Sequence, residues 1–279
     1  MIRVKALCLV FSFWIFQTSS NAVLRKGPLA MELVSEQKTL ASGEHFWLGW
    51  RIMRDKGWHT YWKHPGDVGV PPRIEWELPD SLRVEQILYS PPQRVKMGEV
   101  GANGHYGETL FLCKFVPVAP LLEGSVLKIS AKVSWLTCSR QCLPGFGNLS
   151  INLPVTEEVL YDPLWQNRFE AFRENMPIDS PSDWSFKAIR KADRIELYLP
   201  AQVRAVEGRL YFFSHGRQIR SHSPQILRKK NNEWVLSLMR SKWTSGQETE
   251  LGGLLYRKEG WGNNHSSNYL RIGVPFAKD

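Results

Sequence analysis

Beyond its first 16 residues the chain has no apolar run approaching the roughly 18 residues of a membrane-spanning helix, so nothing after Phe16 predicts a transmembrane segment. It also lacks a phosphate loop, a dinucleotide fingerprint and a nucleophile elbow, which removes the common nucleotide-dependent and serine-hydrolase classes. No CxxC pair with further ligands marks a zinc site. No short repeat or low-complexity tract is present. Acidic side chains are missing altogether between Glu123 and Glu157, whereas Lys128, Lys132 and Arg140 lie inside that window. Cysteine is scarce, with four in 279 residues.

What is there begins with a short basic start, Arg3 and Lys5, followed by the apolar run Ala6 to Phe16 and a polar stretch ending in Ser20-Asn21-Ala22. This pattern predicts a secretory signal peptide over residues 1–22. An uncleaved N-terminal anchor is the alternative. Removing two basic residues lowers the formal charge from +9 to +7. The remaining Lys and Arg are scattered, which fits a soluble exported chain better than a nucleic-acid binder. Cys8 falls inside the signal and is discarded with it, leaving Cys113, Cys138 and Cys142. An oxidising compartment makes a disulfide plausible, and the odd count leaves one thiol over.

From Leu29 onward, short alternating runs are broken by Pro and Gly. The runs His45–Ile52, Leu110–Val118, Ser125–Trp135 and Asn148–Val155 read as strands, with loops at His64–Pro72 and Tyr89–Arg94. Strands separated by turn signals predict an all-β antiparallel sandwich. Apolar residues between Thr156 and Asn175 recur at three- and four-residue spacing and predict a short helical segment. Strand-like runs then resume to the end. The expected layout is a β-sandwich over 23–158, a helical linker over 159–182 and a second β-sandwich over 183–279.

The stretch Trp135 to Gly147, WLTCSRQCLPGFG, carries two of the cysteines. Four residues of extended strand span roughly 13 Å, too far for a disulfide, so Cys138 and Cys142 can pair only across a turn. Such a bond closes a loop of about five residues and stabilises by about 2 kcal/mol in the chain-entropy view, against about 3.6 kcal/mol for a Cys113–Cys142 bond. A tight loop favours a reducible disulfide, and the basic surroundings favour thiolate. An inert staple and a redox pair both remain open on the spacing alone. Cys113 alternates with Phe111 and Phe115 and reads as a buried free thiol.

Several motifs together resemble a known family: GWHTYWKHPGDVGVPP (Gly57 to Pro72), WELPD (Trp76 to Asp80), YSPPQR (Tyr89 to Arg94), HYGETLFL (His105 to Leu112) and VSWLTCSRQCLPG (Val133 to Gly145). Residues 30–155 are similar to the N-terminal periplasmic domain of the thiol:disulfide interchange protein DsbD, closer to the ScsB-like subgroup associated with suppression of copper sensitivity. The resemblance extends more loosely through the second β unit. It implies two immunoglobulin-like β-sandwich domains and a periplasmic thiol–disulfide exchange module that needs no cofactor. Cys142 would attack and Cys138 would resolve. The partners implied are a separate membrane electron carrier of the DsbD type and periplasmic thiol–disulfide proteins, with no nucleic acid. The family's membrane and thioredoxin-like parts are not found in this sequence, and its aromatic cap loop has no match; Tyr89 lies in the corresponding region. Trp58, Tyr61 and Trp62 are candidate walls of the site, or simply sandwich core. The alternatives are a non-catalytic binding or scaffolding module with a structural disulfide and a copper-handling protein using His59, His64, His105, Met53, Met97 or the thiols, although these form no recognised metal spacing.

Overall fold

A computed structural model describes residues 22–203, 209–261 and 267–277. The signal peptide expected over 1–22, with Cys8, therefore lies outside the described residues except for Ala22.

The first part of the chain runs β1 (Leu24–Lys26), β2 (Leu29–Ser35), β3 (Phe46–Arg54), β4 (His59–Tyr61), β5 (Arg73–Glu77), β6 (Leu82–Leu88), β7 (Gln93–Met97), β8 (Val100–Tyr106), β9 (Glu108–Pro117), β10 (Val126–Cys138) and β11 (Cys142–Pro154). These form two sheets. One has the order β1-β2-β3-β9-β6; the other has the order β11-β10-β4-β8-β7, with β5 also paired to β10. Strand pairing within both is antiparallel. Period-2 alternation decides which face each strand buries. Trp50, Phe46, Phe111, Phe115 and Cys113 from one sheet meet Ile129, Val133 and Trp135 from the other in a single buried core.

The helix α1 (Pro163–Glu174) follows. Asp162 caps it, its side chain accepting from the N–H groups of Leu164 and Trp165, and Pro163 opens it where no N–H is needed. The apolar periodicity extends to Thr156, but the helix starts only after this cap. Phe169 is fully buried against Val34 and Leu112, and Arg173 pairs with Glu36 at 2.7 Å. The helix thus lies on the outer face of the first sheet.

The remaining strands are β12 (Ile178–Asp179), β13 (Lys187–Arg190), β14 (Arg194–Leu199), β15 (Leu210–Ser214), β16 (Ile226–Lys230), β17 (Glu233–Met239), β18 (Glu250–Trp261) and β19 (Ser267–Pro275). They form the sheets β12-β19-β18-β15 and β13-β14-β17-β16. A second core, including Phe212, Leu236, Leu255 and Trp261, fills the space between them. The fold is all-β, as the turn-punctuated sequence predicts, and immunoglobulin-like, as the family resemblance implies.

The two pairs of sheets meet along a seam. Trp62, from the loop after β4, is buried with Tyr211, Phe213 and Leu254 of the second pair. Tyr269 donates its hydroxyl to the Pro92 carbonyl at 2.7 Å, and Arg94 stacks on the Tyr211 ring at 4.7 Å.

Candidate thiol–disulfide site

The long hairpin β10–β11 places the two cysteines. Its register runs unbroken from Val126↔Pro154 to Cys138↔Cys142, so the cysteines form the last cross-strand pair. Ser139, Arg140 and Gln141 close the turn, with the Ser139 N–H donating to the Gln141 carbonyl at 3.0 Å. The Cα atoms of Cys138 and Cys142 lie 4.2 Å apart, and a disulfide joins them. The turn that the spacing requires is therefore a three-residue hairpin loop.

The two sulfurs have different surroundings. Cys138 is fully buried, held between β11 and β4. Cys142 is exposed, because β11 is the edge strand of its sheet and the pair sits at its very end.

Antiparallel pairing puts His59 of β4 directly opposite Cys138. Residues facing each other across a ladder share a face, and so do residues two apart on one strand. His59 and Tyr61 therefore lie on the cysteine side. The Tyr61 hydroxyl donates to Cys138 Sγ at 3.2 Å. Burial pushes the Tyr61 phenol above its usual pKa, so it is a proton-bearing donor at neutral pH. The His59 ring meets the edges of Tyr61 and Tyr106 with centroids 5.4 and 5.6 Å away. Burial first, and then the Arg54 charge, lower the His59 pKa to about 4. It is neutral at physiological pH.

A sulfur also covers the outer cysteine. Met97 ends β7, and its Sδ lies 3.4 Å from Cys142 Sγ. The tight β7–β8 turn at Gly98-Glu99 thus stands beside the exposed end of the disulfide. In the sequence Met97 reads only as a soft-metal candidate; its place at the site depends on the β7–β8 hairpin.

The structure sorts the aromatic candidates. Tyr61 touches the disulfide. Trp58 is half-buried just before β4, and its backbone N–H closes a turn onto the Asp55 carbonyl at 3.0 Å. Trp62, one residue past Tyr61, points the other way into the seam. Tyr89 packs on the first core with its ring 5.3 Å from Phe111. The neighbour that perturbs its phenol, after burial itself, is Cys113 rather than the disulfide pair. Cys113 is fully buried and free, and burial pushes its thiol up to about 12.

The run without acids in sequence is not free of acids in space. β5 lies beside β10, and Glu77 pairs with Lys132 at 2.8 Å. That pairing spans Ser130 to Ser134 and stops short of Cys138, and the exposed Arg140 lies in the turn between the cysteines. Among the described residues, no group of three or more His, Cys, Asp or Glu side chains converges as a metal site, and no helix is long and apolar enough to cross a membrane.

A disulfide with one buried and one exposed sulfur, at the tip of a sandwich hairpin, coincides with a match of residues 30–154 to the family model described as thiol:disulfide interchange protein DsbD, N-terminal. Residues 30–154 form a DsbD N-terminal domain. The fold of the larger part is also represented among solved structures. The N-terminal periplasmic domain of ScsB from Proteus mirabilis aligns with a TM-score of 0.66 at 13% identity, covering 91% of this chain and 98% of that one. That similarity includes the second pair of sheets and is one of fold. BcpA, the major pilin subunit of Bacillus cereus, aligns with a TM-score of only 0.28 at 8% identity over 90% of this chain and 64% of that one. No curated protein matches.

Proposed function

We propose that the chain is a periplasmic thiol–disulfide exchange module acting through Cys138 and Cys142. The observation that carries this reading is the asymmetry of the pair: an exposed Cys142 sulfur backed by a buried Cys138 sulfur that accepts a hydrogen bond from Tyr61. In the reducing direction, the Cys142 thiolate attacks one sulfur of a partner disulfide. That bond breaks, its other sulfur leaves as thiolate, and a mixed disulfide remains. The Cys138 thiolate then attacks Cys142 Sγ and expels the partner's second thiolate. Two electrons pass to the partner, and Cys138–Cys142 forms. In the opposite direction an incoming thiolate attacks Cys142, and the electron pair of the broken bond moves to Cys138. The Tyr61 hydroxyl is placed to stabilise that sulfur as it becomes a thiolate. No organic cofactor enters.

The Met97 turn would shield Cys142 between encounters and move aside for a partner. The chain is organised as two domains, a sandwich carrying the cysteines over 23–158 and a second over 183–279, with the helical segment between. Its electron donor is a separate membrane carrier of the DsbD type, and its acceptors are periplasmic thiol–disulfide proteins. The periplasmic setting rests on the matched domain type and on the N-terminal sequence.

The test is redox equilibration of the purified chain in glutathione buffers, with Cys138→Ala as a trap for mixed disulfides. Reversible two-electron titration and a trapped adduct at Cys142 are expected. A pair that stays oxidised in excess dithiothreitol, with no adduct in the trap variant, would favour a purely structural disulfide.

A further inference from the structure

The loop between β4 and β5 touches both the disulfide site and the second pair of sheets, and it does so two residues apart. Asp67 reaches across the seam. Its Oδ2 accepts from the Ser221 backbone N–H at 3.0 Å and its Oδ1 from the Ser241 hydroxyl at 2.6 Å. Its own N–H donates to Ser221 Oγ at 3.2 Å. The Ser221 hydroxyl in turn donates to the Gly101 carbonyl of β8 at 3.1 Å, so one serine of the second pair joins the loop to the sheet that holds the cysteines. The carboxylate is 7% exposed, and His222 Nδ1 lies 3.4 Å from it. Neighbouring Gly66 is pressed onto the same serine: a Cβ there would lie 2.4 Å from Ser221 Cβ.

Two residues further on, the loop lies on Tyr61. Gly69 has φ +98°, and a Cβ on it would fall 2.1 Å from the Tyr61 ring. No other residue type fits that approach. The ring beneath Gly69 carries the hydroxyl that donates to Cys138 Sγ. A continuous set of contacts therefore runs from Ser221 and Ser241 through Asp67 and Gly69 to Tyr61 and Cys138.

We infer that Asp67 is a positioning residue for the exchange reaction: anchored on Ser221 and Ser241, it seats Gly69 on Tyr61 and so fixes the hydrogen bond to Cys138. The second pair of sheets thereby contributes to the chemistry of a disulfide that it does not contain. This rests on the exchange reading above. When a thiolate attacks Cys142, the Cys142–Cys138 bond breaks and the electron pair goes to Cys138. A displaced Tyr61 would leave that sulfur less stabilised. Opening would slow, and the equilibrium would move towards the disulfide.

The test measures the rate at which dithiothreitol opens Cys138–Cys142 in the full chain, and the glutathione equilibrium of the pair. Asp67→Asn and Ser241→Ala are each expected to slow opening by about fivefold, the scale of one weakened hydrogen bond to a developing charge. Ser241→Thr, which keeps the hydroxyl, should stay near the parent rate. Tyr61→Phe should slow opening by a similar factor, and adding Asp67→Asn to it should slow it no further. Ser241→Ala decides the matter if Asp67→Asn does not fold. Parent-like opening in Asp67→Asn and Ser241→Ala, alongside slow opening in Tyr61→Phe, overturns the positioning role and leaves the exchange reading standing. Multiplying effects in the double variant overturn it too. A parent disulfide that dithiothreitol cannot open removes the exchange reading, and the positioning role with it.

Discussion

Cys113 and Cys142 belong to the same sandwich but to opposite conditions. Cys113 sits within β9, a strand flanked by β3 and β6, with Phe111 and Phe115 on its face of the core. Cys142 begins β11, an edge strand, beside a three-residue turn. Burial raises the first thiol to about 12. At pH 8 such a group is thiolate in only about one molecule in ten thousand. Thiolate is the reacting species, so burial within the strand disfavours the reactive form of Cys113, whereas Cys142 stands exposed at the end of its ladder. On the exchange reading proposed above, reactivity follows where the ladder ends.

The sharpest way to break this comparison is to remove the outer sulfur. Cys142→Ala should abolish exchange altogether, because Cys113 can neither reach a partner nor ionise. Residual turnover of a disulfide substrate in that variant, above the rate without protein and persisting in Cys138→Ala/Cys142→Ala, would mean that Cys113 can substitute. Reduced parent protein treated with iodoacetamide at pH 8 should be modified at Cys142 first, and Cys113 should react only after unfolding. Mass mapping of the modified peptides reads this directly.

Acid probes the buried imidazoles on the two sides of the comparison. His59 faces the disulfide, and His105 lies 5.7 Å from the Phe111 ring beside Cys113's core. Burial lowers their pKa values to about 4 and about 3 from 6.5. The unfolded chain takes up these protons near pH 6.5 while the folded chain does not. Stability is therefore complete above that pH and falls as the pH drops towards 4, by at most about 1.4 kcal/mol per pH unit for each histidine. Thermal melts between pH 7 and pH 4.5 should show a falling midpoint, with a shallower fall in His59→Gln. A flat profile would contradict neutral burial of these rings.

Breaking the disulfide itself should have a smaller effect. A loop of about five residues is worth about 2 kcal/mol of chain entropy, and the hairpin keeps its ladder without the bond. Denaturation with and without reductant should differ by that amount. A much larger loss would make the bond chiefly a staple and weaken the contrast with Cys113.

Part of this contrast is readable in the sequence. The alternation of Phe111, Cys113 and Phe115 announces one buried face because strand periodicity is local. The need for a turn between Cys138 and Cys142 follows from strand rise. The helix is also legible, although its start is set by Asp162 and Pro163 rather than by the apolar period. Other features depend on pairing between distant strands. Tyr61 meets Cys138 from 77 residues away, because β4 joins the end of β10. Met97 arrives through a separate hairpin, and Asp67 finds its partners 154 and 174 residues later. Local chemistry does not specify such encounters. The placement of Tyr89 illustrates the same limit: its neighbours in sequence bring it towards the site, but the sheet directs its ring to Phe111.

The finest test of the comparison is Cys113→Ala. The thiol fills space between aromatic rings and has no hydrogen-bonding duty that alanine would leave unmet. Losing one buried sulfur should cost about 1 kcal/mol, at the low end for a core truncation, because the cavity is small. Exchange through Cys142 should change by less than about twofold, since the disulfide lies in the other sheet and keeps Tyr61, His59 and Met97 around it. Paired measurement of unfolding free energy and of the rate with dithiothreitol separates the two effects. A stability loss with an unchanged rate assigns Cys113 to packing. A large fall in rate at nearly constant stability would mean that the inner thiol takes part in exchange, and the division of labour between the two cysteines would fail.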